Sequence, residues 1–185
     1  MKEVVRSKRL GPRMLFAVFA LSTLFAHHAH AQDNSSAPAQ CGDKQLSLRN
    51  YGETIGMGPM RSIEFIFTNV SSSPCTLSGH PSFEFLNRAG RPVRASLATD
   101  GIGWLGVDKG PPKLVTLAPG KTARFFVDYL ARYDEDREKP CPSYRRLRVT
   151  APGTKRVFVQ RFRIYAIEVC SGLEVSPVVE PSGYD

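Results

Sequence analysis

Short runs in which apolar and polar residues alternate, separated by turns rich in proline and glycine, constrain this chain more than any other feature. Ile63, Phe65 and Phe67 alternate with polar neighbours, and the stretch Ala123–Leu130 repeats the pattern. Such alternation places successive side chains on opposite faces of a strand, whereas a 3.6-residue periodicity indicating helices is not evident. About seven to nine short strands of this kind predict an all-β fold, an immunoglobulin-like antiparallel β-sandwich.

Turn-forming residues divide the sequence into these candidate strands. Asn87–Gly90, Ala118–Gly120 and Ala151–Gly153 have the compositions of turns, because proline fixes φ and glycine allows a positive φ. No internal repeat and no second domain are indicated. The predicted strands contain Leu46 and Leu48, Ile63 to Phe67, Phe83 and Phe85, Pro92–Leu97, Leu114–Leu117, Ala123–Leu130, Arg146–Thr150, Arg156–Ile167 and Leu173–Val179.

The N-terminal segment has the three parts of a secretory signal peptide. Met1–Arg13 is basic, Met14–Ala26 is apolar, and Ala29–Ala31 is a small-x-small cleavage sequence. The apolar run is shorter than the roughly 20 residues that a membrane-spanning helix needs. We therefore expect cleavage after Ala31, giving a secreted or periplasmic mature chain without a transmembrane segment.

The expected organisation is a signal peptide (1–31), a disordered leader (32–40), one β-sandwich domain (41–180) and a C-terminal tail (181–185). Cleavage would remove five of the 25 Lys and Arg residues and one of the 17 Asp and Glu residues, so the net charge falls from +8 to +4. It would also remove three of the four histidines, leaving His80.

Four cysteines remain in the predicted mature chain. An even number in an exported chain predicts disulfides, because that compartment oxidises thiols. Cys41 precedes the first strand and Cys75 follows the second, so antiparallel pairing of these strands brings the two cysteines together. Cys141 and Cys170 bracket the late strands in the same way. We favour Cys41–Cys75 and Cys141–Cys170 over the other two connectivities, and the wide spacing argues against a four-cysteine metal site.

Several segments carry a family resemblance that spans about Cys41 to Val179. They are Phe67–Val70, Cys75–Pro81, Leu86–Gly90, Leu117–Gly120 with Ala123, and Cys170–Pro177. Together they resemble the domain-of-unknown-function 4232 family, and the resemblance implies an exported β-sandwich and no particular activity. Many relatives look like lipoproteins with a cysteine at the cleavage site, whereas here Gln40, not a small residue, precedes Cys41.

Arginines in the last third of the chain are the main functional feature. On alternating strands Arg146 and Arg148 share one face, as do Arg161 and Arg163. A basic stripe of this kind predicts contact with an anionic envelope polymer or another exported protein; the alternative is a sheet edge protected by charge. Aromatic residues are not interleaved as on a base-stacking platform, so we expect no nucleic-acid partner, and we expect no cofactor.

Two further hypotheses use His80. A secreted hydrolase would need it as a base, but the sequence has no G-x-S-x-G motif, and an ordinary loop histidine is the alternative. Met57 and Met60, with His80, are soft ligands of the type that binds Cu(I), although methionines also fill gaps beside loops. We expect a non-enzymatic extracytoplasmic binding or interaction module rather than an enzyme or a copper-handling protein.

Overall fold

A computed structural model describes residues 37–55, 58–94, 96–97, 111–131, 140–163 and 166–181, all within the unit Ser36–Asp185. These residues form thirteen strands and no helix, and seven of the strands have five or more residues. The strands are β1 (Leu46–Ile55), β2 (Met60–Asn69), β3 (Cys75–Leu77), β4 (Ser82–Leu86), β5 (Pro92–Arg94), β6 (Ser96–Leu97), β7 (Val115–Leu117), β8 (Thr122–Leu130), β9 (Ser143–Tyr144), β10 (Arg146–Thr150), β11 (Val157–Arg161), β12 (Ile167–Glu168) and β13 (Ser171–Val175).

The strands of this part of the chain are arranged in two larger sheets and two small ones. The five-stranded sheet has the order β1-β2-β8-β13-β6, and the four-stranded sheet has the order β11-β10-β4-β5. β9 pairs with β12, and β3 pairs with β7. Antiparallel pairing predominates, with β13 and β6 as a parallel pair. The predicted all-β fold class is confirmed.

Aromatic side chains of both larger sheets meet in the core. The register pairs Phe65 of β2 with Phe125 of β8, and their rings stack with centroids 5.0 Å apart. Phe83 of β4, from the other sheet, packs edge-on against Phe65 at 5.6 Å. Each such side chain contributes about 1.5–3 kcal/mol of burial free energy. The alternation seen in the sequence therefore creates the apolar inner face of each sheet.

Both favoured disulfides are confirmed. Cys41–Cys75 and Cys141–Cys170 each have a Cα–Cα distance of 4.8 Å. The first bridge lies beside β3, where the Cys41 amide donates to the carbonyl of Thr76. The second extends the β9–β12 pair, since the Val169 amide donates to the carbonyl of Pro142. The expected bracketing thus holds, although β9 and β12, rather than β10 and β11, bring Cys141 and Cys170 together.

The residues just before Cys41 pack against the domain. The Thr76 amide donates to the carbonyl of Ala39 at 3.0 Å, and the Thr76 hydroxyl donates to the carbonyl of Pro38 at 3.3 Å. The end of the predicted leader therefore lies against β3. The predicted signal peptide and its cleavage site after Ala31 lie outside the described residues. Within those residues, no helix has the length and apolar character required to cross a bilayer.

Two predicted turns are confirmed by their backbone geometry. Gly120 and Gly153 have positive φ angles of 76° and 72°. In each turn an amide donates back three residues, from Lys121 to Ala118 and from Thr154 to Ala151. A proline followed by a glycine with positive φ is the combination that a type II turn favours.

Two of the predicted strands are each divided in the structure. Pro92–Leu97 contributes β5 to the four-stranded sheet and β6 to the five-stranded sheet, so the chain passes from one sheet to the other. Arg156–Ile167 contributes β11 and β12, which pair with β10 and β9 respectively. β11 ends at Arg161, and the next residue, Phe162, is buried in the core.

Candidate functional site

The solvent side of the four-stranded sheet carries four arginines and a single carboxylate, Glu84. The opposite side carries core residues such as Leu147 and Val149, because strand side chains alternate between faces. We call the solvent side the arginine face. Its members are Val157, Val159 and Arg161 of β11, Arg146, Arg148 and Thr150 of β10, Ser82, Glu84 and Leu86 of β4, and Pro92 and Arg94 of β5.

One row across this face is neutralised in part by Glu84. The Arg148 Nε donates to Glu84 Oε2, and the Arg94 Nε donates to Oε1 at 3.1 Å. The hydrogen bond from Arg148 holds the pKa of Glu84 below its ordinary value of 4.5 despite the opposing effect of burial, and Arg94 adds to this shift. The same bond raises the pKa of Arg148. Two of the four arginines therefore share one carboxylate.

The next row places two arginines side by side. Arg146 of β10 and Arg161 of β11 are direct cross-strand partners. The Phe162 amide donates to the carbonyl of Arg145 at 2.9 Å, so the adjacent Arg146–Arg161 pair occupies a non-hydrogen-bonded position, where cross-strand side chains are closest. No carboxylate of the described residues forms an ion pair with either arginine. Like charges in this arrangement are destabilising.

A cleft of about 230 Å³ lies beside this pair. It is lined by Leu86, Asn87, Arg88, Ser143, Arg145 and Arg146. Three guanidinium groups, an amide and a hydroxyl suit an anion, because the planar guanidinium donates two parallel hydrogen bonds to phosphate or carboxylate oxygens. One acidic residue pairs with a residue that lines the cleft: Glu168 of β12 is the cross-strand partner of Ser143.

The comparison with protein families identifies the domain. Residues 41–178 match the family model described as a domain of unknown function, DUF4232. The chain belongs to the DUF4232 family. The matched region contains both disulfides and the whole arginine face. A search of curated proteins found no match to this DUF4232 chain.

Sequence reasoning located part of the arginine face of this DUF4232 domain. Arg146 and Arg148 share one face of β10, as expected, and the pairing of β10 with β11 places Arg161 on the same face. Arg163 lies in an exposed bend after β11, so it does not share a strand face with Arg161.

Arg94 of the arginine face and Arg88 of the cleft beside it were not predicted to lie here. Both lie more than 50 positions before β10 in the sequence, and the pairing of β4 with β10 and with β5 brings them here. The only local signal was a charged residue in the turn at Asn87–Gly90 and another shortly after it. A single sequence contains no signal for the strand order.

The DUF4232 fold places His80 in the loop between β3 and β4. There it lines a second cleft of about 400 Å³, together with Pro81, Ser82, Phe83, Glu84, Arg94 and Val175. The carboxylate of this cleft, Glu84, accepts hydrogen bonds from two arginines. This arrangement offers no specific support for a hydrolase, and the hypothesis stays a prediction.

Only one of the two methionines of the copper hypothesis lies in the described part of the chain. Met60 is the first residue of β2, where its cross-strand partner is Leu130, and Met57 lies outside the described residues. Within the described residues no three His, Cys, Asp or Glu side chains group in a way that could hold a metal ion. The hypothesis of a Cu(I) site at Met57, Met60 and His80 therefore stays untested.

Proposed function

We propose that this DUF4232 protein is a non-enzymatic, extracytoplasmic module that binds an anionic polymer of the cell envelope through its arginine face. The observation that carries the proposal is the apposition of Arg146 and Arg161. An uncompensated like-charge pair in a sheet costs roughly 0.2–1 kcal/mol of folding free energy. A phosphate or carboxylate group placed between the two guanidinium groups removes the repulsion and gains charge-assisted hydrogen bonds.

A polymer fits this surface better than a small anion does. The cationic groups extend from β11 across β10 to the cleft beside Arg88, and strands in a sheet lie about 4.8 Å apart. A chain of repeated negative charges can contact several of these groups at once, and each added contact is then intramolecular. The cleft itself, at about 230 Å³, is smaller than most small-molecule sites.

Polymer binding is tested by retention on immobilised long-chain polyphosphate, with elution by a salt gradient. We expect the double variant Arg146→Glu/Arg161→Glu to elute at much lower salt than the wild-type chain. The matched control is Lys44→Glu/Lys121→Glu, which changes the net charge equally at exposed positions outside the arginine face. Equal losses in both variants would show attraction by net charge alone, and retention unchanged in the arginine variant would refute the proposal.

The extracytoplasmic location is part of the proposal. It is supported by two disulfides, which persist in oxidising compartments, and by the signal-peptide pattern of the first 31 residues. Mass spectrometry of the protein from fractionated cells should find a chain that begins at Gln32, outside the cytoplasm. A chain that retains Met1, or one with free thiols, would contradict this location.

A further inference from the structure

The edge strand β11 has the properties of a self-association surface. We propose that β11 pairs antiparallel with β11 of a second copy of this chain, which joins two four-stranded sheets into one continuous sheet. The proposal is independent of polymer binding, because it depends on the backbone of β11 and on its valines rather than on the arginine charges.

Because backbone hydrogen bonds alternate along β11, the amides and carbonyls of every second residue do not bond to β10. The Phe162 amide donates to the carbonyl of Arg145 across the β10–β11 pair. At alternate positions along β11, Gln160 and Phe158 therefore also form their backbone hydrogen bonds with β10. Pairing in an antiparallel ladder alternates, and the amides and carbonyls of Val157, Val159 and Arg161 therefore point away from β10. No other strand of the described residues pairs with β11. An open edge of this kind is a template for another strand.

Two apolar side chains accompany this open edge. Val157 is 51% exposed and Val159 is 66% exposed, which places both among the most exposed large hydrophobic residues described. Both are β-branched residues that favour strand pairing. Addition of a strand beside them would remove apolar surface from water and satisfy the backbone groups at the same time.

The neighbouring edge, β1, is closed by side chains of the β11 segment. Arg156 Nη1 donates to the carbonyl of Leu46 at 3.1 Å, and Gln160 Nε2 donates to the carbonyl of Leu48 at 3.1 Å. Gln160 Oε1 also accepts from Asn50 Nδ2 at 2.5 Å. The two edges on this side of the fold thus differ: the edge of β1 is capped, and the edge of β11 is open.

In one particular register, β11 of a second copy provides hydrogen-bond partners for the outward backbone groups of β11. A two-fold axis at Val159 pairs this residue with the partner's Val159 and pairs Val157 with the partner's Arg161. Every outward amide and carbonyl of Val157, Val159 and Arg161 then has a partner in both chains. The register also separates Arg161 from the partner's Arg161, so these two like charges are not placed opposite one another.

Analytical ultracentrifugation of the mature chain, up to about 1 mM, tests the proposal. We expect a concentration-dependent dimer for the wild-type chain. Val159→Asp and Val159→Lys should each be monomeric, because each variant places like charges opposite one another, and an equimolar mixture of the two should dimerise. Val70→Asp, at a 58% exposed position outside β11, is the matched control and should leave the dimer intact.

Amide hydrogen exchange of the wild-type chain gives a second measurement that needs no variant. Protection of the Val157, Val159 and Arg161 amides should increase with protein concentration, whereas the amides of Phe158 and Gln160 should be protected throughout. A wild-type monomer at all concentrations, a mixture of variants that stays monomeric, or edge amides that remain unprotected would each overturn the proposal.

Discussion

The side-chain amide of Asn69, at the end of β2, donates a hydrogen bond to the carbonyl of Leu117 on β7 at 2.9 Å. The same nitrogen donates to the carbonyl of Ser73 at 2.8 Å, and the side-chain oxygen accepts from the Ser71 amide at 3.0 Å. Asn69 is completely buried. One side chain therefore fixes the β2–β3 connection against the small β3–β7 sheet.

Replacement of Asn69 should destabilise the fold strongly. Asn69→Ala removes the donor to the buried carbonyl of Leu117 and the acceptor of the Ser71 amide, and we expect a loss of about 2–4 kcal/mol in the free energy of unfolding. Asn69→Asp keeps the shape but places acceptor oxygens against the carbonyls of Ser73 and Leu117, so its loss should be at least as large. Urea denaturation at pH 7 measures both variants. A loss below about 0.5 kcal/mol in either would show that Asn69 does not hold this connection.

Glu84 should make stability depend on pH. Its pKa is lowered in the folded protein, chiefly by the Arg148 hydrogen bond, so its ionised form favours folding. This contribution is complete above the ordinary value of 4.5 and is lost as the pH falls through the lower pKa of the folded state. Glu84→Gln should therefore lower the urea midpoint modestly at pH 7, and the difference from the wild-type chain should shrink as the pH falls below 4.5.

The same variant bears on the proposed function. Glu84→Gln frees Arg148 and Arg94 from their shared carboxylate, so retention on polyphosphate should extend to higher salt. A difference in urea midpoint that stayed constant with pH would contradict the assigned role of Glu84 in stability. Unchanged retention would show that this row of the arginine face does not contact the polymer.

Arg161 should oppose stability and favour binding. Arg161→Thr removes the repulsion with Arg146 and introduces a residue with high strand propensity, so unfolding should need about 0.2–1 kcal/mol more at low salt. The gain should decrease in high salt, because screening weakens the original repulsion. Retention on polyphosphate should fall in the same variant. Lys121→Thr, at an exposed turn, is the control and should show neither change.

The two disulfides should differ in their contribution to stability. The loops they close have similar lengths, with sequence separations of 34 and 29, so the loop-entropy model gives about 3–4 kcal/mol for each and a difference below about 0.2 kcal/mol. Cys41 and Cys75 are also buried in the core. Thermal unfolding should therefore show a larger loss for Cys41→Ala/Cys75→Ala than for Cys141→Ala/Cys170→Ala. A larger loss for Cys141→Ala/Cys170→Ala would mean that packing of Cys41 and Cys75 in the core does not determine which disulfide stabilises the fold more.

The fold could be predicted where one strand carries its own signal. The alternation at Ile63, Phe65 and Phe67 gives the inner face of β2, since burial of one face is a local property of the sequence. Strand order is not local. Nothing near Pro92–Leu97 indicates that its two halves join different sheets. Similarly, the buried hydrogen bond from Ser62 to Asp128 depends on the β2–β8 register, which the sequence does not reveal.

The candidate site shows the same limit. Arg146 and Arg148 share a face because they are two positions apart on one strand, which the sequence predicts. Their partners come from other strands: Arg161 becomes the neighbour of Arg146, and Glu84 becomes the neighbour of Arg148, only through the β11-β10-β4 order. The difference between a repelling pair and a compensated pair therefore depends on tertiary structure.

The second disulfide determines how the chain transmits mechanical tension. A pull along the backbone that reaches Cys141 passes through the sulfur atoms directly to Cys170, and the chain between them carries no load. That bypassed loop contains both β10 and β11, and with them Arg146, Arg148 and Arg161. A force applied to the ends of the protein can extend the chain between Cys75 and Cys141, while the strands that bear these three arginines stay unstretched.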